Sequence, residues 1–182
     1  GLHTGHCRVR GNGPGFIPDT DLIVPKMLKD AGYVTACIGK YGLGLPLPLD
    51  DPQKKGFGHF FGYVDTSHAH NCYPTFLIRN GAKVPLDNQL IPGTENKPGT
   101  GVATPDGRKQ WAPQLLADDV QRFLDERAKD KSRPFFLYYA LNLPHANNEA
   151  DATSPLGHGM ECPGYGEFAS RDWPDVEKGF AS

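Results

Sequence analysis

Residues 22–40 read LIVPKMLKDAGYVTACIGK, and their pattern indicates the fold class. From Leu22 to Ala31 the apolar residues recur with the spacing of a helix. Pro25 suits the first turn of that helix, where a missing backbone N–H costs nothing. Three residues ahead of the helix are candidate N-terminal caps: Asp19, Thr20 and Asp21.

A short strand follows the helix directly. Gly32 stands where a residue in the left-handed conformation commonly ends a helix. Residues 33–38, YVTACI, are apolar enough to form a largely buried strand, and Gly39 and Lys40 end it. A helix that leads straight into a buried strand indicates an α/β fold.

A second unit of the same kind lies between Trp111 and His145. Pro113 fits an early helical position. The residues on one face of the predicted helix are Leu116, Val120, Phe123, Leu124 and Arg127. The continuous apolar run at residues 135–141 then predicts a central parallel strand, covered on both faces.

Two polar, titratable residues follow the two predicted strands. Lys40 ends the first strand, and His145 comes after the second, behind Pro144. Ligands of open α/β sheets bind beyond the carboxyl ends of the strands, so we expect Lys40 and His145 to face one site. An ammonium and an imidazole there would suit an anion.

The stretch at residues 41–110 is too long for an ordinary connection. Either it forms loops over an active site, or the elements that pack it are missing from the chain. Residues 93–107 have the composition of a linker. His68 and His70 would point to the same side of an extended segment, which favours anion binding or a structural role over a metal site, because only Asp65 lies nearby.

Composition excludes several classes of protein. The 182 residues carry a formal net charge of −2 without a long basic block, so nucleic-acid binding is not expected. The longest apolar run has only seven residues (135–141), against about 20 for a membrane-spanning helix. The cysteines allow two disulfides, but their sparse spacing favours free buried thiols: Cys7, Cys37, Cys72 and Cys162.

Four segments, in order, resemble the sulfatase family. Residues 32–44, GYVTACIGKYGLG, look like its second signature, G-Y-x-T-x-x-x-G-K-[WY]. Residues 1–6 resemble the end of its first signature, C-x-P-S-R followed by a short apolar stretch and T-G. Residues 62–71 and 134–149 also look like arylsulfatase sequence. The resemblance therefore covers most of the chain.

The resemblance implies an alkaline-phosphatase-like α/β sandwich with a mostly parallel central sheet, which is incomplete in this chain. It implies hydrolysis of a sulfate ester on a small molecule or a carbohydrate, with calcium and a formylglycine as cofactors. Lys40 matches the lysine that binds sulfate and assists the leaving oxygen, and His145 matches a histidine that contacts the sulfate group. A periplasmic or extracellular location is expected from the same resemblance.

The chain departs from the family pattern in three ways. Many sulfatases have His two residues after the signature lysine, where this chain has Gly42; His68 or His70 would be substitutes, as substrate-binding residues. Cys7 lacks the C-x-P-S-R context, so the nucleophile is not expected in this chain. The acidic pair Asp50-Asp51 follows the lysine signature instead of preceding it, so no calcium ligands are expected either.

We therefore expect residues 1–182 to be an internal part of a sulfatase catalytic domain, inactive by itself. Two alternatives stay open. One is a phosphodiesterase or phosphonate hydrolase on the same scaffold, since both reactions need a cradle for an anion. The other is a degenerate, non-catalytic homologue that binds anions. The oligomeric state does not follow from the sequence.

Overall fold

The computed structural model describes residues 17–42 and 51–182, which form three α-helices and one five-stranded sheet. The helices are α1 (Val24–Asp30), α2 (Ala112–Lys129) and α3 (Asp175–Ala181). The strands are β1 (Val34–Lys40), β2 (His59–Tyr63), β3 (Phe76–Arg79), β4 (Ala82–Pro85) and β5 (Phe135–Ala140). None of the described helices combines the length and apolar character that crossing a bilayer requires.

The sheet has the strand order β4-β3-β2-β1-β5. Strands β2, β1 and β5 run parallel, as predicted for the two helix-to-strand units. Strands β3 and β4 join β2 in antiparallel orientation. The sheet is therefore mixed. Its parallel part contains β1, which ends at Lys40, and β5, which precedes His145 in the chain.

The α1–β1 unit is confirmed, but its predicted caps are wrong. Helix α1 begins at Val24 after Ile23, and no side chain caps it. Asp19 instead accepts a hydrogen bond from the buried Lys55 ammonium at 2.7 Å. Gly32 has φ of 90°, the left-handed conformation expected at the end of this helix.

Strand β5 is not the central strand that its apolar run predicted. Within the described residues it pairs with β1 only and lies at the edge of the sheet. Phe135 and Tyr138 are 44% and 48% exposed, and Leu141, just beyond the strand, is 49% exposed. The run predicts a strand correctly, but the number of neighbours depends on long-range pairing that composition does not encode.

Helix α2 covers one face of the sheet. Its Leu116 and Phe123 pack on Ile38, Phe61 and Tyr63 of the central strands. The opposite face is covered by a second, aromatic cluster: Cys37, Tyr41, Phe57, Phe60, Val64 and Ile78. Burying each of these large side chains contributes about 1.5–3 kcal/mol to folding, so the two layers hold β1 and β2 firmly.

A buried ionic cluster also fastens α2 to the sheet. The Asp119 carboxylate on α2 is 1% exposed and accepts hydrogen bonds from His59 Nε2 at 2.6 Å and Arg79 Nη1 at 2.7 Å. Arg122, one turn along the helix, also donates to it. Because His59 begins β2 and Arg79 ends β3, one carboxylate ties three elements together.

The long middle stretch folds as loops and strands on the sheet. Residues 93–107 are not a linker, because Thr100, Val102 and Ala103 are buried and Ala103 forms a β-bridge with Leu90. Among the described cysteines, Cys37 and Cys72 are free buried thiols, as predicted, whereas Cys162 is free but only partly buried. Residues 1–6, Cys7 and Asp50 lie outside the described residues; Asp51 accepts a hydrogen bond from the Gln53 N–H in a turn.

Candidate active site

Lys40 is the last residue of β1, and the backbone just before it lies very close to the neighbouring strands β2 and β5. Gly39 is in register with Gly62 on β2 and with Ala140 on β5. A Cβ on Gly39 would lie 2.0 Å from the Ala140 carbonyl oxygen, and one on Gly62 would lie 2.1 Å from the Gly39 oxygen. Only glycine fits at both positions. The backbones of β2, β1 and β5 can therefore approach closely just before Lys40.

The Lys40 side chain runs back over Gly42. A Cβ on Gly42 would lie 3.6 Å from Lys40 Cγ and 3.7 Å from Lys40 Cε. Partial burial lowers the pKa of Lys40, while the charge of Asp65 acts in the opposite direction. Within residues 17–42 and 51–182 the ammonium has no hydrogen-bond partner, which leaves its three donors for a ligand.

The two histidines of the His68–His70 segment lie in a 3₁₀ turn, not in the extended segment that would align them. Asp65 Oδ1 accepts hydrogen bonds from the N–H groups of Ser67 at 2.8 Å and His68 at 3.0 Å, which starts the turn. Residues two apart in such a turn diverge. The prediction that the His68 and His70 side chains point to the same side is therefore wrong.

His68 points into the protein. Its ring is 3% exposed, packs edge-on against Tyr63 at 4.9 Å, and its Nε2 donates to the Phe76 carbonyl at 3.0 Å. Burial lowers the pKa of His68 to about 4, so the ring is neutral at neutral pH. These contacts favour a structural role over the substrate-binding role expected from the sequence.

His70 turns the other way, toward the carboxyl edge of the sheet. Its ring stacks on the ring of His145, with centroids 4.9 Å apart and an interplanar angle of 5°. Its Nδ1 lies 3.4 Å from Glu149 Oε2. Burial lowers the pKa of His70, Glu149 opposes this, and the nearby charges of His145 and Lys40 lower it further. The structure therefore brings Lys40, His70 and His145 into one electrostatic neighbourhood.

Asn142 joins the two histidine-bearing segments. It follows β5, is buried, and its Nδ2 donates to the Ala69 carbonyl at 3.1 Å, between the two histidines of the turn. The His145 N–H donates to the Asn142 carbonyl at 3.0 Å, which folds the loop so that His145 returns to the turn. Together, the two hydrogen bonds of Asn142 bring the segment of His145 next to the segment of His70.

The tautomer of His145 follows from a second contact. His145 is exposed, and its Nδ1 lies 2.6 Å from the Ala146 carbonyl. A carbonyl can only accept, so Nδ1 carries the proton of this hydrogen bond and Nε2 is left for a ligand. The site thus offers one free ammonium and one free imidazole nitrogen, with a second imidazole stacked behind.

Two contributors were missed by the sequence analysis: Asn142, which positions His145, and Glu149, which faces His70. Both lie in or beside the 134–149 segment, but their roles depend on contacts across the fold. Over residues 17–42 and 51–182, no group of three or more His, Cys, Asp or Glu side chains is arranged to hold a metal ion.

Curated proteins similar to this chain are sulfatases. N-acetylgalactosamine-6-sulfatase of Canis lupus familiaris is 33% identical over 137 residues, which cover 72% of this chain and 24% of that protein. The uncharacterized sulfatase YdeN of Escherichia coli K12 is 27% identical over 158 residues, covering 75% and 24%. Arylsulfatase J of Mus musculus is 26% identical over 151 residues, covering 82% and 23%. The chain spans about a quarter of the length of these relatives.

Two solved structures share the fold. Ps i-CgsB has a TM-score of 0.52 at 22% identity, covering 96% of this chain and 37% of its own. Its complex with k-i-k-neocarrahexaose also has a TM-score of 0.52, at 23% identity, covering 82% and 30%. These likenesses confirm the alkaline-phosphatase-like α/β fold. The sulfatase family model matches residues 3–175, and the chain therefore belongs to the sulfatase family.

Proposed function

We propose that the protein carrying this chain hydrolyses sulfate esters and that residues 1–182 are part of its catalytic domain. The observation that carries the proposal is the stacking of His70 on His145, in the segments that follow β2 and β5, with Lys40 at the end of β1 between those two strands. The similarity to N-acetylgalactosamine-6-sulfatase supports a sulfated carbohydrate as the natural substrate.

Lys40 is proposed to bind a sulfate oxygen and to stabilise the bridging oxygen as the ester bond breaks. Negative charge develops on that oxygen in the transition state, so a cation held there beforehand lowers the barrier. Its ammonium has no hydrogen-bond partner among the described residues, and its anchored position after Gly39 keeps it at the strand end.

The two stacked imidazoles are proposed to contact the same sulfate group. The free Nε2 of His145 would meet a sulfate oxygen, because Nδ1 is held by the Ala146 carbonyl. His70 would hold a proton close to the leaving oxygen, which is the task of the histidine that Gly42 replaces in the signature. Glu149, 3.4 Å from His70 Nδ1, stabilises the charged form of that ring.

Calcium and formylglycine are expected from the family resemblance and would supply positive charge and the nucleophile. The side chains of residues 17–42 and 51–182 do not form a donor set for calcium. We therefore propose that other parts of the protein hold both groups. The roles proposed for Lys40, His70 and His145 do not depend on where those groups bind.

The complete protein should hydrolyse 4-nitrophenyl sulfate, and Lys40→Ala should lower kcat/KM by at least about 100-fold. The matched control is Lys131→Ala, since Lys131 is exposed in the turn before β5 and belongs to no part of the site.

Three outcomes would contradict the proposal. Wild-type turnover by the Lys40→Ala variant would contradict the role proposed for the lysine. Turnover of bis-4-nitrophenyl phosphate with no turnover of the sulfate would favour the phosphodiesterase alternative. A folded complete protein that turns over neither compound would favour the non-catalytic homologue.

A further inference from the structure

A buried carboxylate connects the segments that carry the two stacked histidines. The Glu161 side chain is 1% exposed. Its Oε2 accepts hydrogen bonds from the Cys72 N–H at 3.3 Å and from Asn147 Nδ2 at 3.1 Å. Cys72 lies two residues after His70 in the chain, and Asn147 lies two residues after His145. One carboxylate oxygen therefore joins the two segments.

Asn147 extends this connection to Glu149. Its Oδ1 accepts a hydrogen bond from the Glu149 N–H at 3.1 Å. The Glu149 side chain in turn places Oε2 3.4 Å from His70 Nδ1. Glu161 is thus linked to His70 through the backbone of Cys72. It is linked to Glu149 through the side chain of Asn147. The two links close a ring, which limits how far the Glu149 carboxylate can move from the His70 imidazole.

A tight backbone contact fixes Glu161 beside Asn147. The N–H groups of both residues donate to the Gly159 carbonyl, at 2.7 Å from Asn147 and 3.0 Å from Glu161. A Cβ on Gly159 would lie 2.4 Å from the Asn147 carbonyl oxygen, so a larger residue would disturb this approach. The position of the Glu161 backbone therefore does not depend on the charge of its side chain.

The buried charge of Glu161 is poorly compensated. Its Oε1 has no hydrogen-bond donor among the described residues, and Arg108 Nη2 lies 3.9 Å away. Burial raises the pKa of Glu161, and the charge of Glu149 acts in the same direction; the contacts with Asn147, Arg108 and Cys72 oppose them. A half-partnered buried carboxylate is weak support for a fold. A role in the neighbouring site accounts better for its place.

We propose that Glu161 is a positioning residue for the sulfatase reaction, which holds Glu149 against His70 so that His70 keeps a proton for the leaving oxygen. The inference rests on the proposed function and adds a residue that touches neither the substrate nor the reacting atoms. The charges that act on the His70 ring are those of Glu149, His145 and Lys40. Glu161 therefore acts through the geometry of the Glu149–His70 contact and not through its own charge.

Two variants of Glu161 separate geometry from charge. Glu161→Gln removes the charge but keeps an oxygen within reach of Cys72 and Asn147. Glu161→Asp keeps the charge but withdraws the oxygen by one carbon. We therefore expect Glu161→Gln to turn over sulfate esters within about threefold of the wild type, whereas Glu161→Asp should lose about 10- to 100-fold in kcat with little change in KM.

Kinetics of the complete protein with two substrates show whether the loss concerns the proton. The substrates are phenyl sulfate and 4-nitrophenyl sulfate, because nitrophenolate is the better leaving group and needs less help from an acid. In Glu161→Asp the loss in kcat should be larger on phenyl sulfate. The matched control is Asp119→Asn, which changes an equally buried carboxylate at the start of β2 and should affect both substrates alike.

An NMR titration of the His70 ring gives a readout that needs no turnover. Glu161→Asp should lower the pKa of His70, since Glu149 is the group that raises it. Added to Glu149→Gln, the same substitution should change that pKa little further, because both act on one contact. Asn147→Ser, which shortens the other link of the ring, should show the same pattern and replaces Glu161→Asp if that variant does not fold.

The outcomes separate this inference from the proposed function. A wild type that hydrolyses neither ester contradicts the proposed function. With an active wild type, the positioning role is overturned while the sulfatase proposal stands in any of three cases: Glu161→Gln is impaired as much as Glu161→Asp, the loss is equal on both substrates, or the pKa of His70 stays at its wild-type value.

Discussion

The imidazole rings of His70 and His145 lie parallel, 4.9 Å apart. They come from a turn after β2 and a loop after β5, which the hydrogen bond from Asn142 to the Ala69 carbonyl joins across 73 residues of sequence. The charges of His145 and Lys40 both act to lower the pKa of the His70 ring. An anion bound beside His70 would raise the pKa of that ring, because it would offset these two charges.

Glu149→Gln should lower the pKa of His70 further. Burial already lowers that pKa, and the Glu149 carboxylate is the main influence that opposes it. A pH titration of the His70 ring by NMR measures the effect, with Glu167→Gln as the control. An unchanged or raised pKa would show that Glu149 does not stabilise the charged ring.

Asn142→Ala should destabilise the protein by about 1–3 kcal/mol, because the Ala69 carbonyl loses its donor in a buried place. The loop that carries His145 loses its attachment to the His70 turn as well. We therefore expect kcat/KM on a sulfate ester to fall under conditions where the variant is still folded. Urea denaturation and kinetics measure the two effects; wild-type values in both would contradict the role of Asn142.

His68 should make part of the stability pH-dependent. The pKa of the His68 ring is about 4 in the folded protein and near 6.5 when unfolded. The unfolded chain therefore binds more protons between these values, and stability falls as pH falls from 6.5 to 4, by on the order of 3 kcal/mol from this group. In His68→Gln the free energy of unfolding should depend less steeply on pH over this window. Denaturation at several pH values would reveal an unchanged slope if the prediction is wrong.

Asp119→Asn should lower the free energy of unfolding by about 2–3 kcal/mol, because the amide leaves His59, Arg79 and Arg122 without their shared negative charge. Both arginines are partly exposed, which limits the loss. Asp118→Asn, on the neighbouring exposed position of α2, should change stability by less than about 0.5 kcal/mol. Equal effects of the two substitutions would contradict the role of the buried cluster.

The elements that form from neighbouring residues were predictable. The apolar spacing of α1, the left-handed Gly32 and the apolar run of β1 belong to one short segment, and the structure has all three. The same holds for α2 and for the existence of β5. The expected caps of α1 were wrong because Asp19 pairs with Lys55, a residue 36 positions away.

The candidate site likewise has one part that local sequence predicts and one part that depends on long-range contacts. The position of Lys40 at the end of a buried strand was predictable, since the GK pair follows an apolar run whose geometry is local. Long-range packing determines that His70 and not His68 stacks on His145, that Asn142 and Glu149 contact these two segments, and that β5 lies at an edge of the described sheet. Hydrogen bonds and ring contacts between distant segments depend on how the chain packs, and a local pattern does not encode which distant residue it will contact.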